Sequence, residues 1–323
     1  MKLAMIGAGY VGLVSGACFS EFGWDVTCID LSQKRIASLN EGKIPIYEPG
    51  LEQLVRSNAA AGRLHFTTEL AAAVRQSDVV FIAVGTPTRR GGNAANLEYV
   101  ENAARDIARA MQGHTIVVTK STVPVGTARR IEAIIKKTNP EARFSMASNP
   151  EFLREGSAIE DFMHPDRVIV GVEDDQARTT LQRLYRPLSL RDTRVMFTGL
   201  ETAELTKYAA NAFLATKITF INQMADVCES VGANVQELAR GMGLDRRIGN
   251  KFLHPGPGFG GSCFPKDTRA LAAIARDAGR PMSLIEAVSA YNEQRKNLMA
   301  SRIIAALGGR ASGRRIGILG VSF

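Results

Sequence analysis

The sequence has no apolar run of about 18 residues or more, one tryptophan, four widely spaced cysteines and no long basic cluster. The first absence excludes a membrane-spanning helix. The opening "MKLAMIGAGYVGL" also lacks the charged lead, apolar block and small-residue cleavage site of a secretory leader. Together they predict a soluble, untargeted, cytoplasmic chain. Cys18, Cys28, Cys228 and Cys263 lie too far apart in sequence to be read as a zinc site or a disulfide framework, which suits a reducing compartment. Lys and Arg outnumber Asp and Glu by 40 to 32, mostly beyond residue 200. With sparse aromatics and no basic run, that excess predicts an anionic small substrate rather than nucleic acid.

Over the first 200 residues, short β-branched apolar runs alternate with Ala/Leu-rich segments. The runs "KLAMI", "DVTCI", "DVVFIAV", "TIVVT", "RFSMA" and "RVIVGV" predict strands of a doubly wound, Rossmann-like parallel α/β sheet covered on both faces. From Glu201 the character changes. About thirty strand-free residues end at Gly232, in position to cap a helix. Their apolar residues encircle the helix, which fits either a subunit interface or the central helix of a monomer. A Gly/Pro-rich loop follows over 253–265, then further helix to about Leu307. "IGILGVSF" reads as the first strand of another βα unit, so the sequence is expected to be a fragment. The expected domains are 1–200 for dinucleotide binding, 201–307 for an all-helical central domain, and 308–323 for the start of a third.

"MIGAGYVG" closes the first strand and opens a helix. Gly7 makes the tight turn, Gly9 lets main chain approach a pyrophosphate, and Gly12 lets helix pack on strand. Asp30 ends the second strand, where a carboxylate accepts hydrogen bonds from a ribose and repels a 2′-phosphate. This favours NAD over NADP, although Lys34 and Arg35 weigh the other way. "VGTPT" (84–88) and "KSTVPVGT" (120–127) follow strands at the same edge and are candidates for the nicotinamide half. The expected cofactor site comprises Gly7, Gly9, Tyr10, Val11, Gly12, Asp30, Lys34, Arg35, Thr86, Thr122 and Glu155.

"NPEFLREG" (149–156) carries Glu151 and Glu155 four apart, on one face if the segment is helical. Lys207 and Asn211 are also four apart, in the long apolar helix. A lysine there is paired, functional or snorkelling to water; near a reacting centre the two side chains would stabilise an oxyanion. In "GFGGSCFPKD" (258–267) Pro265 predicts the first position of a helix, which sets Cys263 just ahead of a positive helix end with Lys266 close by. That field favours thiolate over thiol. A free cysteine is otherwise a small buried hydrophobe, but the glycines ahead of it leave room for a substrate.

Six strings, "GAGYVG", "STVPVGT", "NPEFLREG", "ELTKYAANAFLA", "RIGNKFL" and "GFGGSCFPKD", occur in this order and spacing. With them the chain, from Lys2 to its last residue, resembles the UDP-glucose 6-dehydrogenases of the nucleotide-sugar dehydrogenase family. The resemblance implies a four-electron oxidation of UDP-glucose to UDP-glucuronate with two NAD reduced in turn. It makes Cys263 the nucleophile of a thiohemiacetal and thioester. By the same likeness Lys207 and Asn211 steady the oxyanion, Asp267 acts as base through a water, Glu151 assists the hydrolytic water, and Thr122 positions that water or the sugar. Phe152, Leu153, Arg154 and Glu155 would hold the sugar nucleotide with Lys207, Asn211, Lys266 and the loop at Phe259 and Gly260. Arg247 of the partner subunit would reach it too, which would make the long helix a homodimer interface.

Two features depart from the family pattern. The sequence stops where a UDP-binding domain would start, and Asn96 stands where an aspartate is expected. GDP-mannose and UDP-N-acetylmannosamine dehydrogenases share the reaction type. A two-electron NAD-dependent hydroxyacid dehydrogenase and a non-catalytic nucleotide-binding protein compete with that activity.

Overall fold

The computed structural model describes residues 1–87, 95–189 and 193–319. The chain divides into two compact units, one reaching to Lys207 and one starting at Tyr208. The first contains strands β1 (Lys2–Ile6), β2 (Asp25–Ile29), β3 (Leu64–Thr67), β4 (Val79–Ile82), β5 (His114–Thr119), β6 (Arg143–Ser148), β7 (Arg167–Val172) and β8 (Arg194–Thr198). Between them run helices α1 (Tyr10–Glu21), α2 (Gln33–Asn40), α3 (Leu51–Ala60), α4 (Leu70–Arg75), α5 (Glu98–Ala110), α6 (Thr127–Thr138), α7 (Ala158–Met163), α8 (Asp175–Leu184) and α9 (Arg186–Ser189).

The strands form one sheet in the order β3-β2-β1-β4-β5-β6-β7-β8. Its alternating residues build two separate cores. Leu3, Met5, Val79, Phe81, Ile116 and Val118 pack with Leu13, Val14 and Phe19 of α1 and Val55 of α3. Ala4, Ile6, Val80, Ile82 and Val117 face the other way, onto Val100 and Ile107 of α5 and Ile131 of α6. Burial on both faces is why these strands read as continuous apolar runs. Strands β3 ("LHFT") and β8 ("RVMFT") were not expected from the sequence. One is four residues long with an exposed histidine, and the other is a partly exposed edge strand. Trp24, between α1 and β2, packs against the first core and donates its indole N–H to the Leu184 carbonyl at 3.1 Å.

The sheet is not wholly parallel. β7 runs against β6, with Ala147 opposite Val172 and Ser148 opposite Gly171. A parallel pair needs a crossover that returns the chain to the opposite edge of the sheet. Here β7 begins at the edge where β6 ends, so residues 149–166 and α7 stay at the carboxyl edge of the parallel strands.

Helix α10 (Leu200–Val231) is continuous and spans the unit boundary, and Gly232 follows it at φ 73°. The second unit adds α11 (Val235–Gly243), α12 (Phe264–Asp277) and α13 (Ser283–Ala306). No helix among the described residues is long and apolar enough to cross a membrane. The strand expected near the end does not form over residues 314–319, where Ile316 and Ile318 are exposed in irregular backbone. A strand needs a neighbour to bond its main chain, and none among the described residues pairs with this segment. Residues 320–323 of that expected strand, and Thr88 of "VGTPT", lie outside the described residues.

Asn96 accepts the N–H of Glu98 at 3.0 Å at the start of α5. An aspartate makes the same bond, so this departure leaves the local structure intact. The start of α6 is held differently. The two carboxylate oxygens of Glu204 accept the N–H groups of Gly126 (2.7 Å) and Ala128 (2.8 Å), satisfying donors that a helix start leaves open. Burial of Glu204 raises its pKa above 4.5, more than these bonds lower it. The folded state therefore holds this proton more tightly than the unfolded chain does. Stability from this group falls as pH rises from 4.5 through the raised value. Glu204→Gln is expected to remove that slope, at most about 1.4 kcal/mol per pH unit, in chemical unfolding measured across pH 4–7.

Candidate active site

The turn between β1 and α1 is shaped by its glycines. Gly7 has φ 103°, and a methyl group on Gly12 would lie 1.8 Å from the Gly7 carbonyl oxygen. Both positions are glycine for the sake of the fold itself. Gly9 is different: its φ is −78° and a methyl group there would meet nothing within 4 Å. The chain's own packing does not require a glycine at Gly9, which suits close approach of a ligand to the start of α1. The residues therefore fit a dinucleotide. Asp30 accepts from the N–H of Ser32 (2.9 Å), the N–H of Ala8 (3.1 Å) and Arg35 Nη1 (2.7 Å). Burial disfavours its charge, but these bonds outweigh burial and hold the carboxyl below its usual range. Lys34 is exposed.

At the carboxyl edge of β5 and β6 the first unit gathers buried polar groups. Lys207 is 4% exposed and its ammonium lies 3.1 Å from Glu151 Oε1. Of the three roles open to a lysine in this helix, pairing is what the structure shows. Glu151 Oε2 accepts the N–H of Leu153 at 2.5 Å. Lys120, at the end of β5, donates to Asn149 Oδ1 at 3.0 Å, and the hydroxyl of Tyr185 donates to the same oxygen. Asn149 Nδ2 donates to the Ile169 carbonyl on β7 at 2.8 Å. Burial, and then the like charge of Lys207, bring the Lys120 pKa down to about 8 against the pull of Glu151. Thr86 Oγ1 donates to the Thr122 carbonyl at 2.9 Å, which joins the two candidate nicotinamide turns.

In the second unit, Cys263 is the N-cap of α12 and the only one of the four cysteines that is not buried. Burial pushes the thiols of Cys18 and Cys28 up to about 12. Asp267, 1% exposed, accepts from Asn211 Nδ2 at 2.7 Å and from Lys266 Nζ at 2.7 Å. The Cys263 sulfur lies 3.6 Å from Ser262 Oγ.

Two expected placements are corrected, the helical face of residues 151–155 and the helix position of Pro265. Residues 151–154 are irregular, so Glu151 and Glu155 share no helical face; the first is buried and the second exposed. The chain stays at the sheet edge as an extended turn, which sends neighbouring side chains apart. Helix α12 starts at Phe264, so Pro265 takes its second position. Lys266 turns to the adjacent Asp267 carboxylate. Arg154 is held by Asp161 at 2.5 Å, while Phe152 lies under the Arg167 guanidinium (4.2 Å) and the Lys207 ammonium (5.3 Å). The hydroxyl of Tyr10 donates to Glu48, which also accepts the N–H groups of Gly156 (2.9 Å) and Ala158 (2.8 Å). Val11 and Leu153 are half-buried, and Arg247 is exposed beside Asp245 at 2.6 Å. The Phe259 N–H already donates to Asn292.

Lys120, Asn149, Tyr185 and Glu48 were not among the expected site residues. Lys120 opens "KSTVPVGT" and Asn149 opens "NPEFLREG", each directly after a strand, and a polar residue in that position carried the signal; Tyr185 and Glu48 carried none.

A doubly wound sheet with this glycine turn, and an acidic residue closing β2, defines the class of dinucleotide-dependent oxidoreductases. Residues 1–189 match the NAD binding domain of the UDP-glucose/GDP-mannose dehydrogenase family, and residues 201–294 match its central domain. The chain belongs to this family. It is 59% identical to the UDP-glucose 6-dehydrogenase of Rhizobium meliloti, over all of this chain and 74% of that protein. The structure of a UDP-glucose dehydrogenase from Pyrobaculum islandicum is similar at a TM-score of 0.91 and 39% identity, over 95% of this chain and 71% of that one. A UDP-D-ManNAc dehydrogenase from Pyrococcus horikoshii is similar at 0.86 and 28%, over 95% and 72%. The cofactor is accordingly NAD.

Asp30→Ala removes the carboxylate that is proposed to accept hydrogen bonds from the ribose. The KM for NAD is expected to rise about tenfold, as for one lost hydrogen bond, and the preference for NAD over NADP to narrow in parallel steady-state assays.

Proposed function

We propose that this chain catalyses the NAD-dependent four-electron oxidation of UDP-glucose to UDP-glucuronate in the cytoplasm. The observation that carries the proposal is the setting of Cys263: a single non-buried thiol at the start of a helix, after a loop with glycine at 258, 260 and 261. Gly260, like Gly9, has no positive φ and nothing within 4 Å of an added methyl group. Its glycine is explained by a substrate needing the space.

When bound, NAD accepts a hydride at its nicotinamide ring, once in each half of the reaction. The turn at Gly7, Gly9, Tyr10, Val11 and Gly12 is proposed to hold it, with Asp30 on the ribose, Arg35 and Lys34 beside Asp30, and Thr86, Thr122 and Glu155 toward the nicotinamide. In the first half the substrate alcohol gives its proton through a water to Asp267 while Lys207 and Asn211 steady the alkoxide oxygen. In the second, Cys263 adds to the aldehyde carbon to give a thiohemiacetal. Loss of hydride leaves a thioester, which water hydrolyses to carboxylate and free thiol. Glu151 and Thr122 are proposed to direct that water, with Lys207 paired to Glu151 at 3.1 Å. Phe152, Leu153, Arg154, Lys266 and the loop at Phe259 and Gly260 are proposed to hold the sugar nucleotide.

A second copy of this chain is the proposed occupant of the exposed face of α10. Phe213 (66% exposed), Phe220 (46%) and Val227 (49%) recur every seven residues there, an apolar seam at the spacing helix pairing uses. Arg247 of the partner subunit would then reach the sugar nucleotide. The domain reading proposed is 1–200 for NAD, 201–307 for the central and dimerising region, and 308–323 for the beginning of a UDP-binding region.

Incubation with NAD and, separately, UDP-glucose, GDP-mannose or UDP-N-acetylmannosamine tests the substrate. NADH and UDP-glucuronate are expected from the first alone, two NADH per sugar. Cys263→Ala is expected to lose carboxylate formation roughly a thousandfold or more. Retained turnover in that variant would indicate a two-electron dehydrogenase, and no turnover in wild type a nucleotide-binding protein.

A further inference from the structure

The loop before Cys263 has no strand or helix to satisfy its main chain, yet two of its residues are fully matched by buried side chains. Asn292 of α13, 2% exposed, accepts the N–H of Phe259 at 2.8 Å through Oδ1 and donates Nδ2 to the Phe259 carbonyl at 3.0 Å. Three residues earlier, Asn222 Oδ1 accepts the N–H of Gly256 at 2.7 Å, and Arg295 Nε donates to its carbonyl at 2.6 Å. Asn222 is 1% exposed and Arg295 5%. The buried guanidinium is matched by Asp226 at 3.0 Å.

From this geometry we infer that Asn292 is the positioning residue that sets the path of the loop carrying Cys263 and receiving the sugar nucleotide. The inference deepens the proposed function and rests on it for the identity of the substrate. A primary amide offers one donor and one acceptor in a plane, so Asn292 pairs with Phe259 as a neighbouring strand would. The fit is tight from the loop side as well. Gly258 has φ 127°, and a methyl group there would lie 2.8 Å from Asn292 Oδ1. Phe252 adds a second constraint, holding φ 62° with its ring 6.0 Å from that of Phe264. Bulky residues adopt such a φ only where the surroundings impose it. With both groups of Phe259 engaged, its main chain shapes the site; Gly260 and Gly261, both exposed, face the ligand. Substrate then meets a loop already ordered, and little of its binding energy is lost to ordering it.

Asn292→Asp keeps the acceptor for the Phe259 N–H and sets a carboxylate against the Phe259 carbonyl; Asn292→Ala removes both bonds. In folded variants the KM for UDP-glucose is expected to rise about tenfold or more while the KM for NAD stays within about twofold. Iodoacetamide alkylation of Cys263 in the free protein is expected to change at least about threefold. Amide exchange in the wild-type protein is expected to be at least about a hundredfold slower at Gly256 and Phe259 than at Gly260 and Gly261. Equal exchange at the four positions overturns the inference. So does a UDP-glucose KM within twofold of wild type in a folded variant. If neither variant folds, exchange alone decides. If wild type shows no turnover of UDP-glucose, the functional reading fails, and exchange with alkylation still judges Asn292.

Discussion

Charge withdrawn from water must be matched where it lies, and at the carboxyl edge of the sheet this constraint fixes nearly everything else. An isolated buried ammonium or carboxylate is worth several kcal/mol against folding, and removing one partner of a buried pair commonly costs about 3–5 kcal/mol. Glu151 and Lys207 meet that demand across 56 residues of sequence. Asn149 ties Lys120, Tyr185 and the β7 main chain into the same edge. Because these partners come from β5, the turn after β6, β7 and α10, none can shift without stranding another. A site built this way is ordered before any ligand arrives, the condition under which fixed dipoles and charges act on a reacting group.

The irregular segments use one device repeatedly. Glu204 takes two N–H groups at the start of α6, Glu48 takes two around residues 156–158, and Asn292 with Asn222 and Arg295 does the same for the loop before α12. Loops that sit partly buried need partners for their main chain, and side chains from α10 and α13, with Glu48 from the turn before α3, supply them. The result is a set of turns with strand-like order and without strand geometry. They remain free to hold residues in conformations, such as that of Gly258, that no sheet permits.

How much of this was readable in the sequence depended on how local the signal was. The central strands announced themselves because both of their faces are buried, and the glycine turn because three glycines each answer a separate steric need. The reversal of β7 was invisible: its residues "RVIVGV" read the same in either direction, and only the path of the connection from β6, which stays at the carboxyl edge of the parallel strands, decides. The pairing of Lys207 with Glu151 could be posed as a choice but not decided, since a lysine's partner lies wherever the chain brings a carboxylate. Asn292 offered even less. In "YNEQRKN" it looks like one more polar residue on a helix, and its meaning depends on a loop thirty-three residues away.

Trp24 gives the chain an optical asymmetry. Its indole belongs to the first unit, packed against one of its two cores and bonded to the Leu184 carbonyl, and the second unit contains no tryptophan. Tryptophan emission therefore follows loss of the nucleotide-binding half and is silent about the second unit. Circular dichroism, which weighs every helix, would trace a different curve wherever the two halves come apart separately. Any gap between the two signals would measure how tightly the continuous helix α10 makes the halves melt as one.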